Sequence, residues 1–126
     1  MSRSILLQLA HDSIGEVFKA QRSIKREELL KEHPLLSQRV PTTLTIYFEN
    51  RVRGSWSEDN LPLVDAIVKC AKKAAFEDKN FTPLKTSEYL HSEIEVSLAT
   101  DDGVITQKDA PILTSSEQAL ERVLKL

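Results

Sequence analysis

From Thr42 to Phe48 apolar and polar side chains alternate, with Leu44, Ile46 and Phe48 on one parity and Thr43, Thr45 and Tyr47 on the other. A period of two built from β-branched and aromatic residues predicts a strand. Glu49, Asn50 and Arg51 supply a turn, and Val52 to Trp56 reads as a return strand. Residues that face each other across an antiparallel pair share a face of the sheet. The pattern is therefore best kept by pairing Phe48 with Val52, Ile46 with Gly54 and Leu44 with Trp56 on the core side. The same register sets Tyr47 opposite Arg53 and Thr45 opposite Ser55 on a second, polar face. Ser92 to Thr100 repeats the alternation, with Ile94, Val96 and Leu98 toward the core and Glu93, Glu95 and Ser97 opposite.

Elsewhere the period is helical. Residues 4–20 gather Leu6, Leu9, Ala10, Ile14, Val17 and Phe18 on one face. Gly15 inside that stretch costs about 1 kcal/mol relative to alanine, which asks for close packing or a bend. A shorter helix is expected over Ile24 to Lys31, ended by Pro34. A third takes Asp59 or Asn60 as cap, holds Pro62 in its first turn and aligns Leu63, Ile67, Cys70, Ala71 and Ala74 in one stripe. Thr86 to Tyr89 reads as a short turn. Asp101, Asp102 and Gly103 turn the chain into an extended piece near Val104 to Gln107. A final helix is expected from about Ser116, where Ser115 and Gln118 have capping-box spacing.

At 126 residues, with 40% apolar and 29% charged side chains, the chain fits one globular domain, residues 1–126. Seventeen basic against nineteen acidic residues, without a basic block, argue against nucleic acid as a partner. The apolar run from Ile5 to Ala10 is too short for a signal peptide or a membrane span, so no membrane partner and a cytoplasmic location are expected. The single cysteine, Cys70, rules out an internal disulfide, and its place on a buried helical stripe predicts an inert thiol. His11, His33 and His91 lack metal-site spacing, and the three glycines form neither a phosphate loop nor a dinucleotide fingerprint, so neither metal nor cofactor is expected.

The segment AAFEDKNFTPL, Ala74 to Leu84, followed by EIEVSLAT, Glu93 to Thr100, resembles the AMMECR family. That family carries Leu-Arg-Gly-Cys-Ile-Gly on the return strand of a hairpin, where this chain has Val52, Arg53, Gly54, Ser55, Trp56 and Ser57. The likeness covers about residues 4–100. The usual second half is missing after Thr100, which leaves 101–126 as a divergent tail. The resemblance implies an α+β fold, a small antiparallel sheet with helices packed on one face. It also implies a pathway setting with radical SAM and Memo-like protein partners. Ser55 stands where the family has cysteine, which removes the thiol.

Two functional readings follow. In the first the protein is a non-catalytic or accessory binding module, with Arg53, Gly54, Ser55 and Tyr47 recognising a protein or a small anionic partner, and with a homodimer covering exposed sheet surface. In the second it is a small enzyme in the modification pathway that the resemblance implies, with Arg53 orienting substrate and Glu93, Glu95 or Asp78 transferring protons. Both place Tyr47, Arg53, Ser55, Glu93, Glu95 and Ser97 on one polar face, provided that the Glu93 strand lies beside the hairpin. A one-sided sheet would show a polar face to water in any case. Glu77 and Asp78 end the third helix, where the macrodipole disfavours negative charge, so a compensating partner is expected there. Gly54 is expected to admit a close neighbour, Asn80 to shape a turn and Phe81 to plug the core.

Overall fold

Helix α1 spans Ile5–Lys19, with Ser4 as its N-cap accepting from the Leu7 amide at 3.2 Å. It is followed by α2, Arg26–Glu32, and a 3₁₀ turn, Pro34–Ser37. Strands β1, Thr42–Phe48, and β2, Arg51–Glu58, form the hairpin, after which come α3, Leu63–Phe76, and α4, Thr86–Leu90. Strands β3, Ser92–Thr100, and β4, Gly103–Lys108, end the described chain. This computed structural model describes residues 4–109, so the expected helix from Ser116 and its capping box lie outside the described residues.

The four strands form one antiparallel sheet in the order β2-β1-β3-β4. Leu44 pairs with Val96 and Ile46 with Ile94, which puts the alternating apolar residues of β1 and β3 on a common side. Helices α1 and α3 cover that side, and Leu9, Ile14, Leu44, Ile46, Ile67, Ile94 and Val96 are buried between the layers. This is the α+β arrangement, with helices on one face of the sheet. The third-helix stripe of Leu63, Ile67, Cys70, Ala71 and Ala74 is buried throughout. No helix among the described residues is long and apolar enough to cross a membrane.

Several local expectations need correction. The hairpin turn has two residues, Glu49 and Asn50, with φ of 53° and 63°. Two left-handed residues match the twist of paired strands. The register agrees with expectation for Leu44–Trp56, Thr45–Ser55 and Ile46–Gly54, then shifts: Tyr47 pairs with Val52 and Phe48 with Arg51, leaving Arg53 as the extra residue of a bulge. Val52 is therefore carried off the core side and is 46% exposed. Helix α3 begins at Leu63 behind Pro62, without a side-chain cap from Asp59 or Asn60. Its first amide, Leu63 N, is taken by the Gln38 carbonyl at 2.7 Å instead. The buried stripe of α1 comprises Leu7, Leu9, Ala10, His11, Ser13 and Ile14, and Val17 faces solvent. An added Cβ on Gly15 would meet nothing within 4 Å, so close packing does not explain that glycine. Phe81 is exposed, and Leu84 is buried in its neighbourhood of the chain.

Candidate functional site

The side of the sheet away from the helices is a field of hydroxyls and charges. Register brings Thr43, Thr45 and Tyr47 of β1 beside Ser97, Glu95 and Glu93 of β3, so the strand adjacency that the polar-face argument required is present. Ser57 and Ser55 flank the row on β2, while Thr106 and Lys108 flank it on β4. Neighbouring hydroxyls bond across the strands: Thr43 Oγ1 to Ser57 Oγ at 2.7 Å, Thr45 Oγ1 to Ser55 Oγ at 3.2 Å and Ser97 Oγ to Thr106 Oγ1 at 3.1 Å. Tyr47 donates to Glu95 Oε1 at 3.5 Å. Lys108 bonds Glu93 Oε2 at 3.1 Å and lies over the Tyr47 ring at 4.5 Å from its centroid. The bond to Glu93 holds the lysine's pKa above its ordinary value. A shallow concavity of about 350 Å³ opens at one end of the face between Thr43, Ser57, Ser97 and Val104.

Arg53 is not on this face. As the bulged residue it turns to the helix side, where Nε and Nη2 each bond Glu88 of α4 at 3.1 Å. The guanidinium also lies 5.8 Å from the centre of the Phe81 ring and within 3.4 Å of Thr82 Oγ1 and the Pro83 carbonyl. Its side chain is 12% exposed, and Nη1 is buried with no hydrogen-bond partner among the described residues. The Arg53 bond is the main cause that keeps the Glu88 carboxyl below its ordinary pKa, against a smaller opposing effect of burial.

Gly54 admits a backbone: a Cβ there would sit 2.0 Å from the Ala74 carbonyl oxygen, so the end of α3 touches β2 directly. Asp78 accepts from the Ser55 amide at 3.0 Å through Oδ2 and from the Asn80 amide at 2.9 Å through Oδ1. That answers the expected need for a compensating partner at the end of α3. Asp78 holds the turn and the strand edge with backbone bonds, and Glu77 pairs with Lys73 at 3.1 Å.

The structure therefore groups Tyr47, Ser55, Glu93, Glu95 and Ser97, and separates them from Arg53, Gly54 and Asp78, which act from behind or beside β2. Of the three candidate proton-transfer groups, Glu93 and Glu95 lie on the open face and Asp78 is bound to backbone amides beside β2. Among the described residues, no group of three or more His, Cys, Asp or Glu side chains is placed to hold a metal ion. Burial pushes the Cys70 thiol up to about 12.

Sequence reasoning overlooked Glu88 and Lys108. Neither has a periodic signal, since Glu88 lies in a five-residue helix and Lys108 at a strand end. It weighed His11 only as a metal ligand, whereas the side chain is buried, with Nδ1 2.6 Å from the Tyr89 hydroxyl and Nε2 3.1 Å from Asp109. That contact fastens the end of β4 to α1. A second concavity, about 580 Å³ and mostly apolar, lies between Ile5, Leu6, Leu35, Val40, Leu98 and Ile105.

The chain matches the AMMECR1 family model over residues 7–117. Protein Ta0236 of Thermoplasma acidophilum is 34% identical over 109 residues, covering 81% of this chain and 53% of that protein. A protein of Methanothermobacter thermautotrophicus is 28% identical over 97 residues, covering 75% and 50%. The crystal structure of the uncharacterised protein PH0010 from Pyrococcus horikoshii superposes with a TM-score of 0.66 at 28% identity, over 75% of this chain and 49% of that one. The chain spans about half the length of the curated relatives it matches.

Proposed function

The chain belongs to the AMMECR1 family, and on that premise we propose that it is a binding module that reads a protein partner across the open face of its sheet. The observation that carries this reading is the row of cross-strand hydroxyl pairs flanked by Tyr47 and Lys108, an open polar surface over which no described helix packs. An open surface of short side chains with an aromatic at its edge suits a broad protein contact better than an enclosed small molecule. A small anion is less well served, because Lys108 and Arg53 are already paired with Glu93 and Glu88.

Within this reading Tyr47 and Ser55 make the contact. Arg53 and Gly54 act from the opposite side, fixing the bulge and the close approach to α3 that hold Ser55 in place. Ser55 in the family's cysteine position serves as a hydroxyl bonded to Thr45. The enzyme reading draws less support, since Glu93 is bound to Lys108 and both Asp78 oxygens accept backbone amides. The partners that the family likeness suggests, proteins of a radical SAM and Memo-like pathway, are of the class that such a face can meet.

The test is affinity purification of the tagged chain from its source cells beside a Thr45→Arg variant, which plants a long charged side chain in the middle of the face. A stoichiometric protein retained by the original chain and lost by the variant, with equal melting temperatures, is the expected result. Identical capture by both, or capture by neither, contradicts the proposal.

A further inference from the structure

The two edges of the sheet differ. At β2 the Ser55 amide is occupied by Asp78 at 3.0 Å and the Arg53 bulge bends the strand, two devices that block the addition of another strand. At β4 the Asp109 amide donates to the Ile94 carbonyl at 2.9 Å. Alternation along an antiparallel ladder then turns the backbone groups of Ile105 and Gln107 toward β3 and those of Val104, Thr106 and Lys108 outward. Among the described residues none bonds to those three outward amides. Val104 and Ile105 on this edge are 70% and 52% exposed.

We propose that the β4 edge pairs antiparallel with the same edge of a second copy of the chain, about a two-fold axis at Thr106. Symmetry leaves few registers. Centring on Lys108 would set two lysines side by side, centring on Val104 would pair Lys108 with Thr100, beyond the end of β4, and centring on Ile105 or Gln107 would leave Lys108 or Val104 opposite a residue outside the strand. Centring on Thr106 pairs all three outward residues: Thr106 with itself and Val104 with Lys108 of the partner subunit. Exposed Val104 then lies beside the base of the Lys108 alkyl stem of the other copy, while the lysine's charge stays with Glu93 of its own sheet. Val104, Thr106 and Lys108 share a face with Ala99, Ser97 and Glu95, so pairing joins the two open faces into one surface. The pairing does not depend on what that surface binds.

Cysteine cross-linking tests the register. In a Cys70→Ala background, Thr106→Cys places two sulfurs across a hydrogen-bonded pair whose Cα atoms are about 5.5 Å apart, within disulfide range. Mild oxidation is expected to convert this variant to covalent dimer. Val104→Cys and Lys108→Cys are expected to remain single chains when oxidised separately and to cross-link when mixed. No dimer from Thr106→Cys and none from the mixture overturns the pairing, whether another segment or nothing covers the edge. Cross-linking of Val104→Cys alone as readily as Thr106→Cys overturns the register and with it the proposal.

Discussion

One residue inserted in β2 moves a positive charge from the polar face to the helix side, and Arg53 thereby becomes a structural group whose partner is Glu88. Arg53→Ala leaves that mostly buried carboxylate with the Lys85 amide but without its charged partner, so a loss of about 1.5–3 kcal/mol in urea unfolding is expected, the size of a charged hydrogen bond. The pair also predicts a pH dependence. Glu88 titrates below the ordinary glutamate value in the folded protein, so the folded state holds fewer protons than the unfolded one between the two. Its stabilisation is complete above the ordinary value and is lost as pH falls through the lowered one. Unfolding curves of the native chain and Glu88→Gln should converge on acidification; a constant gap would show that the pair does not matter. Gly54→Ala drives a Cβ into the Ala74 carbonyl and should cost about 3 kcal/mol or more, since backbone on both sides limits relaxation. Cys70, with its thiol pushed up to about 12, should react with a disulfide reagent at pH 8 only after denaturant is added.

Among the elements, α1 offers a stabilising change. Gly15 lies in a helix interior with open space around its Cβ position, so Gly15→Ala should raise stability by about 0.5–1 kcal/mol in the same assay. Strands β1 and β3 were legible because one side is buried and the other is not, and the alternation survives in the burial of every second residue. The start of β2 was not. Glu-Asn lacks the glycine that marks tight hairpin turns, so a three-residue turn looked sufficient, and the extra residue appeared in the strand instead of the loop. Hence Tyr47, Ser55, Glu93, Glu95 and Ser97 could be assigned to one face from the sequence, and Arg53 could not. The stripe of α1 was misread for a different reason. Ser13 returns its hydroxyl to the Leu9 carbonyl at 2.7 Å and His11 meets Tyr89 and Asp109, so two polar residues are buried with their bonds made. The start of α3 is set by Gln38, from a distant part of the chain, which local capping rules do not see.

At the scale of the molecule the two sides of the sheet have divided roles. The helix side is filled by the core and by contacts that hold β2, including Gly54 against Ala74 and Arg53 against Glu88. The other side and the β4 edge carry hydroxyls, Tyr47, Lys108 and exposed Val104, surface available for association. Self-pairing at β4 would double that surface without disturbing the core. Thr106→Pro removes an outward amide and leaves the β3 ladder intact, because edge positions of this parity tolerate proline. The most direct measurement is sedimentation equilibrium of the native chain and Thr106→Pro over a wide concentration range. The account predicts a native mass that rises toward twice 14.3 kDa while the proline variant stays at 14.3 kDa. A native chain that remains at the single-chain mass throughout, or a proline variant that associates equally well, would contradict it.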